Sequence, residues 1–175
     1  MTKRILAAAL ALLLLCSCGS QNNAKPPYDV AHVNLLMEST AFEGSEMAPV
    51  DSFIISMLYG IEESTIAECY AYMAVNTSVS ADELVVLVLT DEEAAIAAEE
   101  ACKARVATQI AVCESYAPAA VPRLEQAIVS RRSNTVLLAV GDPDAIASAT
   151  WAETAPYSLS NSSETPRRAC LISLV

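Results

Sequence analysis

Cys18 is the residue whose neighbours point most directly to a chemistry. Ser17 lies directly before it and Leu15 lies three residues before it, which is the bacterial lipobox order of leucine, small residue and cysteine. In that motif the signal peptide is cut before the cysteine, whose sulfur takes a diacylglyceryl group. We therefore predict lipidation of Cys18. Cys16 is the weaker site because cleavage before it would leave Leu15 where a small residue is required.

The segment before Cys18 has the pattern of a bacterial signal peptide. Lys3 and Arg4 precede an apolar run over residues 5–15, about half the ~20 residues that a membrane-spanning helix needs. We predict that residues 1–17 are removed and that lipid holds the mature protein at the extracytoplasmic face of the cell membrane. Secretory cleavage without lipid attachment is the alternative.

The charge of the mature chain limits its partners. The full chain has 10 basic and 21 acidic residues, and residues 1–17 contain two of the basic ones and no acidic one, so the mature formal charge is −13. Such a field repels phosphate backbones, which argues against nucleic-acid binding, and it disfavours adhesion to anionic lipid. The lipid on Cys18 is therefore the membrane contact that we expect.

Few residues are of the kinds that hold metals, phosphates or reacting groups. His32 is the only histidine, which excludes zinc sites built from several histidines. The four glycines form no phosphate-binding loop and no nucleophile elbow, so we predict no nucleotide, metal, cofactor or catalytic residue.

The residue types also allow a catalytic dyad of His32 with one of three cysteines. The three are Cys69, Cys102 and Cys113. They fall on predicted apolar faces, where a thiol stays protonated and unreactive. We expect these thiols and that of Cys170 to be free rather than joined in disulfides.

Paired carboxylates are the remaining catalytic possibility. A retaining glycosidase needs two carboxyl groups ~5 Å apart in a cleft, and Glu62 or Glu83 with Asp82 is the pair to consider. Most acidic residues fall at predicted helix starts or on solvated helix faces, where they cap helices and favour solubility. A small envelope hydrolase is therefore our second hypothesis.

Hydrophobic periodicity predicts a single α+β domain over residues 28–151. Helices are predicted over residues 30–39, 50–59, 90–116 and 143–151, and strands over residues 65–75, 84–89, 127–132 and 135–140. Asp29 is expected to cap the first helix and Thr90 the third. The strands form two β-hairpins, so we predict an antiparallel sheet of about four strands packed against the long helix, with N-terminal helices. Residues 18–27 are predicted to be a flexible tether and residues 152–175 a loose tail.

Aromatic and basic side chains predict an interaction surface. Tyr70 and Tyr72 share one face of the first hairpin, and Arg131 and Arg132 lie beside the tip of the second. Aromatic side chains on a sheet face can stack on sugars or anchor a partner. These four residues are the candidate surface; packing against the second side of the sheet and solvation of the turn are the alternatives.

Three features together have the pattern of a known family. They are the lipobox, the step Tyr59-Gly60-Ile61, and residues 81–142, which run from an acidic residue through an apolar strand and a charged alanine-rich helix to a strand hairpin. The corresponding positions are Glu83, Tyr116, Pro118 and the strand 136–140. The chain thus resembles, over about residues 28–150, the small lipoproteins grouped as domain of unknown function DUF4358. The resemblance implies a lipoprotein of the Gram-positive envelope and implies no reaction.

We therefore expect a non-enzymatic, membrane-anchored binding or accessory module of the cell envelope, whose partner is an envelope protein or polymer. The lipobox motivates this hypothesis, together with the lack of nucleophile, metal and nucleotide motifs. The alternatives are the small hydrolase and, last, a solute-binding lipoprotein, because the 158 residues after the signal peptide do not suffice for a two-lobed clamp.

Overall fold

A computed structural model describes residues 25–151 of the chain. Cys18 and the predicted signal peptide, residues 1–17, lie outside the described residues. Residues 18–24 of the predicted tether and the predicted tail, residues 152–175, also lie outside them.

Helices and strands follow one another over the described range in an order close to the predicted one. The α-helices are α1 (Val30–Glu38), α2 (Ser52–Tyr59), α3 (Glu92–Tyr116), α4 (Val121–Glu125) and α5 (Pro143–Trp151). The strands are β1 (Met47–Val50), β2 (Ile66–Ala74), β3 (Glu83–Leu89), β4 (Ile128–Arg132) and β5 (Thr135–Val140). Short 3-10 turns occupy Thr40–Phe42, Glu63–Thr65 and Pro118–Ala120.

The strands that the structure describes form one antiparallel sheet in the order β1-β2-β3-β5-β4. β3 lies at the centre, where Val86 pairs with Tyr70 of β2 on one side and with Leu137 of β5 on the other. An unbroken run of β-branched and large apolar residues is typical of a strand covered on both faces. Residues 84–87 are fully buried, as the apolar run of residues 84–89 predicts for a strand in the centre of a covered sheet.

Helices cover both faces of this sheet, and each face has its own core. Helices α2, α3 and α4 pack over the face that carries Val85 and Leu87 of β3. Helices α1 and α5 pack over the opposite face, which carries Leu84 and Val86. The side-chain period of two in a strand separates the two cores. The predicted α+β class, with a long helix across one sheet face, is confirmed.

The sheet has one strand more than the predicted four, because the strand β1 lies where the sequence pattern predicts a loop that contains Pro49. Its sequence is short and contains Pro49, whose missing N–H favours a loop assignment. An edge strand tolerates proline because one side of its backbone needs no partner, and β1 pairs only with β2 within the described sheet. The predicted hairpin of β2 and β3 is therefore extended by one strand at its outer edge.

Aspartates cap four of the described helices, including α5, where the Asp142 carboxylate accepts the backbone N–H of Ala145 at 2.9 Å. Asp29 caps α1 as predicted, because its carboxylate accepts the backbone N–H of Ala31 at 2.9 Å. The prediction for the long helix is wrong by one residue, since Asp91 rather than Thr90 caps α3. Helix α2 begins at Ser52 behind the cap Asp51, and residue 50 belongs to the strand. In each case the carboxylate satisfies backbone donors of the first helical turn.

Gly141 lets β5 pass close to the segment that follows α1. A Cβ at this position would lie 2.5 Å from the carbonyl oxygen of Ala41 and 3.0 Å from a ring carbon of Phe42. The neighbouring Asp142 donates its backbone N–H to the same carbonyl at 2.7 Å. Because the obstacle is backbone that is itself hydrogen-bonded, only glycine fits there.

Candidate functional site

A cavity of about 500 Å³ opens at the end of the sheet where β2 ends and β3 begins. Its lining comes from β2, from the loop that leads into β3, and from the last turns of α3. The lining residues used below are Met73, Asp82, Glu83, Arg105, Val112, Tyr116 and Ala117. We call this cavity the β3-end cleft. The two carboxylates that the sequence singled out, Asp82 and Glu83, both line it.

Glu83 is buried at the first position of β3 and is held from two helices. Tyr59, the last residue of α2, donates its hydroxyl to one carboxylate oxygen, and Arg105 of α3 donates to the other over 3.4 Å. The Arg105 guanidinium also lies 5.7 Å from the centre of the Tyr59 ring. Burial, and then the charge of Glu83, raise the pKa of Tyr59 well above its ordinary value, so its hydroxyl keeps its proton.

Asp82 is buried immediately before β3 and uses one carboxylate oxygen for its partners. That oxygen, Oδ2, accepts from Arg123 of α4 at 2.6 Å and from the Ser45 hydroxyl at 2.5 Å. The side chain is only 1% exposed, yet its other oxygen, Oδ1, has no hydrogen-bond partner among the described residues. A buried carboxylate oxygen without a donor is costly, so it marks a place where a further group can bind.

The cysteines and the histidine do not come together. Cys69, Cys102 and Cys113 are free and belong to the core beneath α3, whereas His32 lies on α1, across the sheet. Burial raises the pKa of Cys69 to about 11 and that of Cys102 to about 12. These two thiols are therefore protonated at neutral pH and unsuited to act as nucleophiles.

The structure does not bring the four predicted surface residues to one place. Tyr70 and Tyr72 are half-buried on the α1 side of β2. Arg131 is on the α3 side of β4, where it contacts Glu99 at 3.1 Å. Arg132 points the other way and is buried, because successive side chains of a strand alternate between faces.

Arg132 belongs instead to a cluster that holds the start of the described chain. Its guanidinium lies 4.1 Å from the centre of the Tyr28 ring and 3.2 Å from Nε2 of His32. Since arginine has only donors, Nε2 of His32 accepts, and Nδ1 of the same ring lies 2.8 Å from Oδ1 of Asp29. The Tyr28 hydroxyl reaches Ser130 of β4 at 2.8 Å. We call Tyr28, His32 and Arg132 the N-terminal clamp.

Helix α2 leaves large apolar side chains in water. Ile55 and Tyr59 face the core, whereas the opposite face exposes Phe53 by 55%, Ile54 by 40%, Met57 by 66% and Leu58 by 43%. We call these four exposed residues the α2 apolar face. The sequence carries a signal for it, because six of the eight residues of SFIISMLY are large and apolar, and a helix that lies on a sheet can bury only one side.

The described residues place limits on other kinds of site. Within residues 25–151 no group of three or more histidine, cysteine, aspartate or glutamate side chains is arranged to hold a metal ion. No helix in that part of the chain is both long and apolar enough to cross a membrane.

Comparison with known proteins identifies one family. The family described as domain of unknown function DUF4358 matches residues 40–141, which include the β3-end cleft and the α2 apolar face. No curated protein matches the chain, and no solved structure matches it.

Proposed function

The chain belongs to the family of domain of unknown function DUF4358, and from this premise we propose that it is a lipoprotein that acts without catalysis as a docking module of the cell envelope. Lipid on Cys18 holds it to the extracytoplasmic face of the membrane. The α2 apolar face then binds a partner protein. The lipobox supports the anchor, and the geometry of α2 supports the docking role.

The exposure of four neighbouring apolar side chains is the observation that carries this proposal. Phe53 and Met57 are one helical turn apart, as are Ile54 and Leu58, so the four form a continuous strip. Soluble domains rarely leave such contiguous apolar surface uncovered, and large exposed patches mark binding surfaces. Met and Phe are also among the residues enriched in the centres of protein interfaces.

The charges around α2 select the kind of partner. Asp51 precedes the helix, and Glu62 and Glu63 follow it; all three are exposed. No lysine or arginine occurs between Lys25 and Lys103. The partner that fits is therefore a protein with an apolar surface bordered by basic residues, because opposite charges at the rim favour encounter and correct orientation.

Two other occupants fit the charges less well. A second copy of the chain would bring the same acidic rim against itself in a two-fold dimer, where like charges repel. An anionic lipid surface would meet the same acidic residues and the negative net charge of the chain. A protein surface bordered by basic residues is attracted by the acidic residues around α2, and neither kind of repulsion arises.

The test is site-directed photo-crosslinking in cells followed by binding in solution. A photo-reactive residue placed at position 57 of the full chain should crosslink to one protein, and the same residue at position 35, on α1, should not. The purified partner should bind the detergent-solubilised full chain more weakly as salt increases. The double variant Phe53→Ser, Met57→Ser should weaken binding by about tenfold or more.

A matched control separates docking from folding. Val30 and Leu35 are exposed apolar residues on α1, on the other side of the sheet, so Val30→Ser with Leu35→Ser should leave binding unchanged. A crosslinked product that is a dimer of this chain or a lipid adduct contradicts the proposal, as does binding that ignores both salt and the α2 substitutions.

The anchor has its own test. Cys18→Ala should leave the precursor uncut or release the protein from the membrane, since no lipid can then be attached at that position. Fractionation of cells and mass spectrometry of the N-terminus would measure this. Normal processing with unchanged membrane retention would refute lipidation at Cys18.

The small hydrolase is a second candidate because Asp82 and Glu83 line one cavity. Each carboxylate already has an arginine partner, Arg123 and Arg105 respectively, which suits a structural or binding role better than proton transfer. Turnover of an envelope polymer by the purified chain, abolished by Asp82→Asn, would favour the hydrolase. The absence of turnover, with docking at α2 intact, would favour the docking module.

A further inference from the structure

We propose that the β3-end cleft binds a neutral, hydroxyl-bearing sugar ring. This second binding site lies at the far end of β3 from the tip of the second hairpin and does not depend on docking at α2. Three properties of the cleft carry the inference: its charge balance, its two unused polar atoms, and its apolar wall with an exposed tyrosine.

Each of the two carboxylates that line the cleft is paired with an arginine. Asp82 is paired with Arg123 at 2.6 Å and Glu83 with Arg105 at 3.4 Å. A free anion or cation would enter a site whose charges are already compensated, and it would lose its hydration without gaining a counter-charge. The ligand that suits this balance is neutral.

Two residues that line the cleft each have a buried atom without a hydrogen-bond partner among the described residues. The two atoms are Oδ1 of Asp82, which can only accept from a donor, and Nε of Arg105, which can only donate. A hydroxyl group both donates and accepts, so a ligand that carries several hydroxyl groups offers a partner of the right kind to each atom. Hydrogen bonds to charged groups are the stronger kind, and buried groups that lack a partner gain most from one.

The wall of the cleft is apolar and ends in an aromatic ring. Met73, Val112 and Ala117 contribute to the wall. Tyr116, at the last position of α3, lines the same cavity and is 83% exposed. An exposed tyrosine ring offers a flat apolar surface with a polar edge, which matches a sugar ring with its C–H groups on one face and hydroxyls at its rim.

A peptide ligand fits less well. Extended peptides commonly bind by adding a strand to a free sheet edge. β3 is paired along both sides, with β2 and with β5, so it has no free edge beside the cleft. The cavity of about 500 Å³ falls in the range typical of small-ligand pockets.

The experiment is ligand-observed NMR, by saturation transfer, on the detergent-solubilised full chain. The probes are an N-acetylglucosamine disaccharide, maltose, a capped dialanine peptide and inorganic phosphate, each at about 5 mM, close to the millimolar limit of weak small-ligand binding. Ring protons of at least one sugar should receive saturation, whereas the peptide should receive none. Phosphate, followed by its phosphorus signal, should show no broadening.

Variants locate the binding and keep the test independent of folding. Tyr116→Ala should weaken sugar binding by roughly three- to tenfold, whereas Tyr116→Phe, which keeps the ring, should retain it. Ile96→Ala changes an exposed residue of α3 outside the cleft and should have no effect. The inference is overturned if neither sugar binds, if the peptide or phosphate binds instead, or if Tyr116→Ala binds sugar as the unaltered chain does.

Discussion

Each face of the sheet has an arginine beside a tyrosine ring, and the two arginines differ in what else they contact. On the α3 face, Arg105 lies 5.7 Å from the Tyr59 ring and contacts the buried carboxylate of Glu83 on the central strand. On the α1 face, Arg132 lies 4.1 Å from the Tyr28 ring and contacts His32.

The difference shows which parts of the fold each arginine holds. The contacts of Arg105 join α2 and α3 to the centre of the sheet, so several elements depend on one buried charge. The contacts of Arg132 join the start of the described chain to an edge strand, so the N-terminal clamp orders a local segment. We expect disruption of the first to affect the whole domain and disruption of the second to affect mainly residues 25–29.

The largest effect is expected from Glu83→Gln. The substitution removes the negative charge and leaves the half-buried Arg105 without its counter-ion, which should lower the free energy of unfolding by about 3 kcal/mol. Urea unfolding followed by circular dichroism would measure it. The double variant Glu83→Gln with Arg105→Met should recover part of that loss, because it removes the uncompensated charge.

The exposed pair of Glu100 with Lys103 on α3 provides a matched control for this prediction. Their contact is 2.8 Å, and both side chains are largely in water, so Glu100→Gln should change stability by less than about 0.5 kcal/mol. If Glu83→Gln and Glu100→Gln lower the free energy of unfolding equally, burial does not make the pair of Glu83 and Arg105 more stabilising than an exposed pair.

An intermediate effect is expected from Arg132→Met. Methionine keeps much of the apolar stem but removes the cation over the Tyr28 ring, so the free energy of unfolding should fall by about 1 to 2 kcal/mol. Proteolysis should also become faster within residues 25–29. Arg131→Met, one residue earlier and at an exposed side chain, should cost less than about 0.5 kcal/mol; if both variants behave alike, the N-terminal clamp has no special role.

The smallest effect is expected at the cap of α1. Asp29→Ala removes the acceptor for the first-turn N–H groups and should cost about 1 kcal/mol at neutral pH. The hydrogen bond with His32 lowers the pKa of Asp29 below its ordinary value of 3.8. The ionised Asp29 carboxylate therefore adds its full stabilisation above pH 3.8. That stabilisation is lost as the pH falls through the lowered pKa of Asp29 in the folded state.

Asp29→Asn separates the charge of Asp29 from its capping role. Asparagine also caps helices, so the stability difference between this variant and the unaltered chain should be small at neutral pH and should disappear in acid below the pKa of Asp29. Urea midpoints measured from pH 7 down to that range would test it. If the stability difference between Asp29→Asn and the unaltered chain grows toward low pH, the charge of Asp29 is not the source of this stabilisation.

Periodic segments were predicted well because their local pattern matches their final surroundings. β3 is apolar on both faces, and it is the central strand. The hairpin of β4 and β5 was predicted from its tight turn, and Ser133 in that turn has the positive φ of 52° that such turns require. β1 was missed because a four-residue segment that contains Pro49 predicts a loop from its local sequence. Only its pairing with the neighbouring β2 shows that it is a strand.

The candidate sites were predicted less well because they depend on partners distant in sequence. Asp82 and Glu83 were considered as a pair, but nothing local indicates that Arg123 and Arg105 would neutralise them. Arg132 follows the exposed Arg131 in the chain, and alternation alone does not tell which of the two is buried.

The sequence by itself determined the lipobox, the α+β class, the central strand and the acidic character of the chain, because each is a matter of residue type and short-range spacing. Only the tertiary structure decided which charges are buried, which face of α2 remains in water, and where a cavity opens at the start of β3. Those features depend on contacts between segments 20 or more residues apart, such as Tyr59 with Glu83 and Asp82 with Arg123. The spacing of neighbouring residues does not predict such contacts.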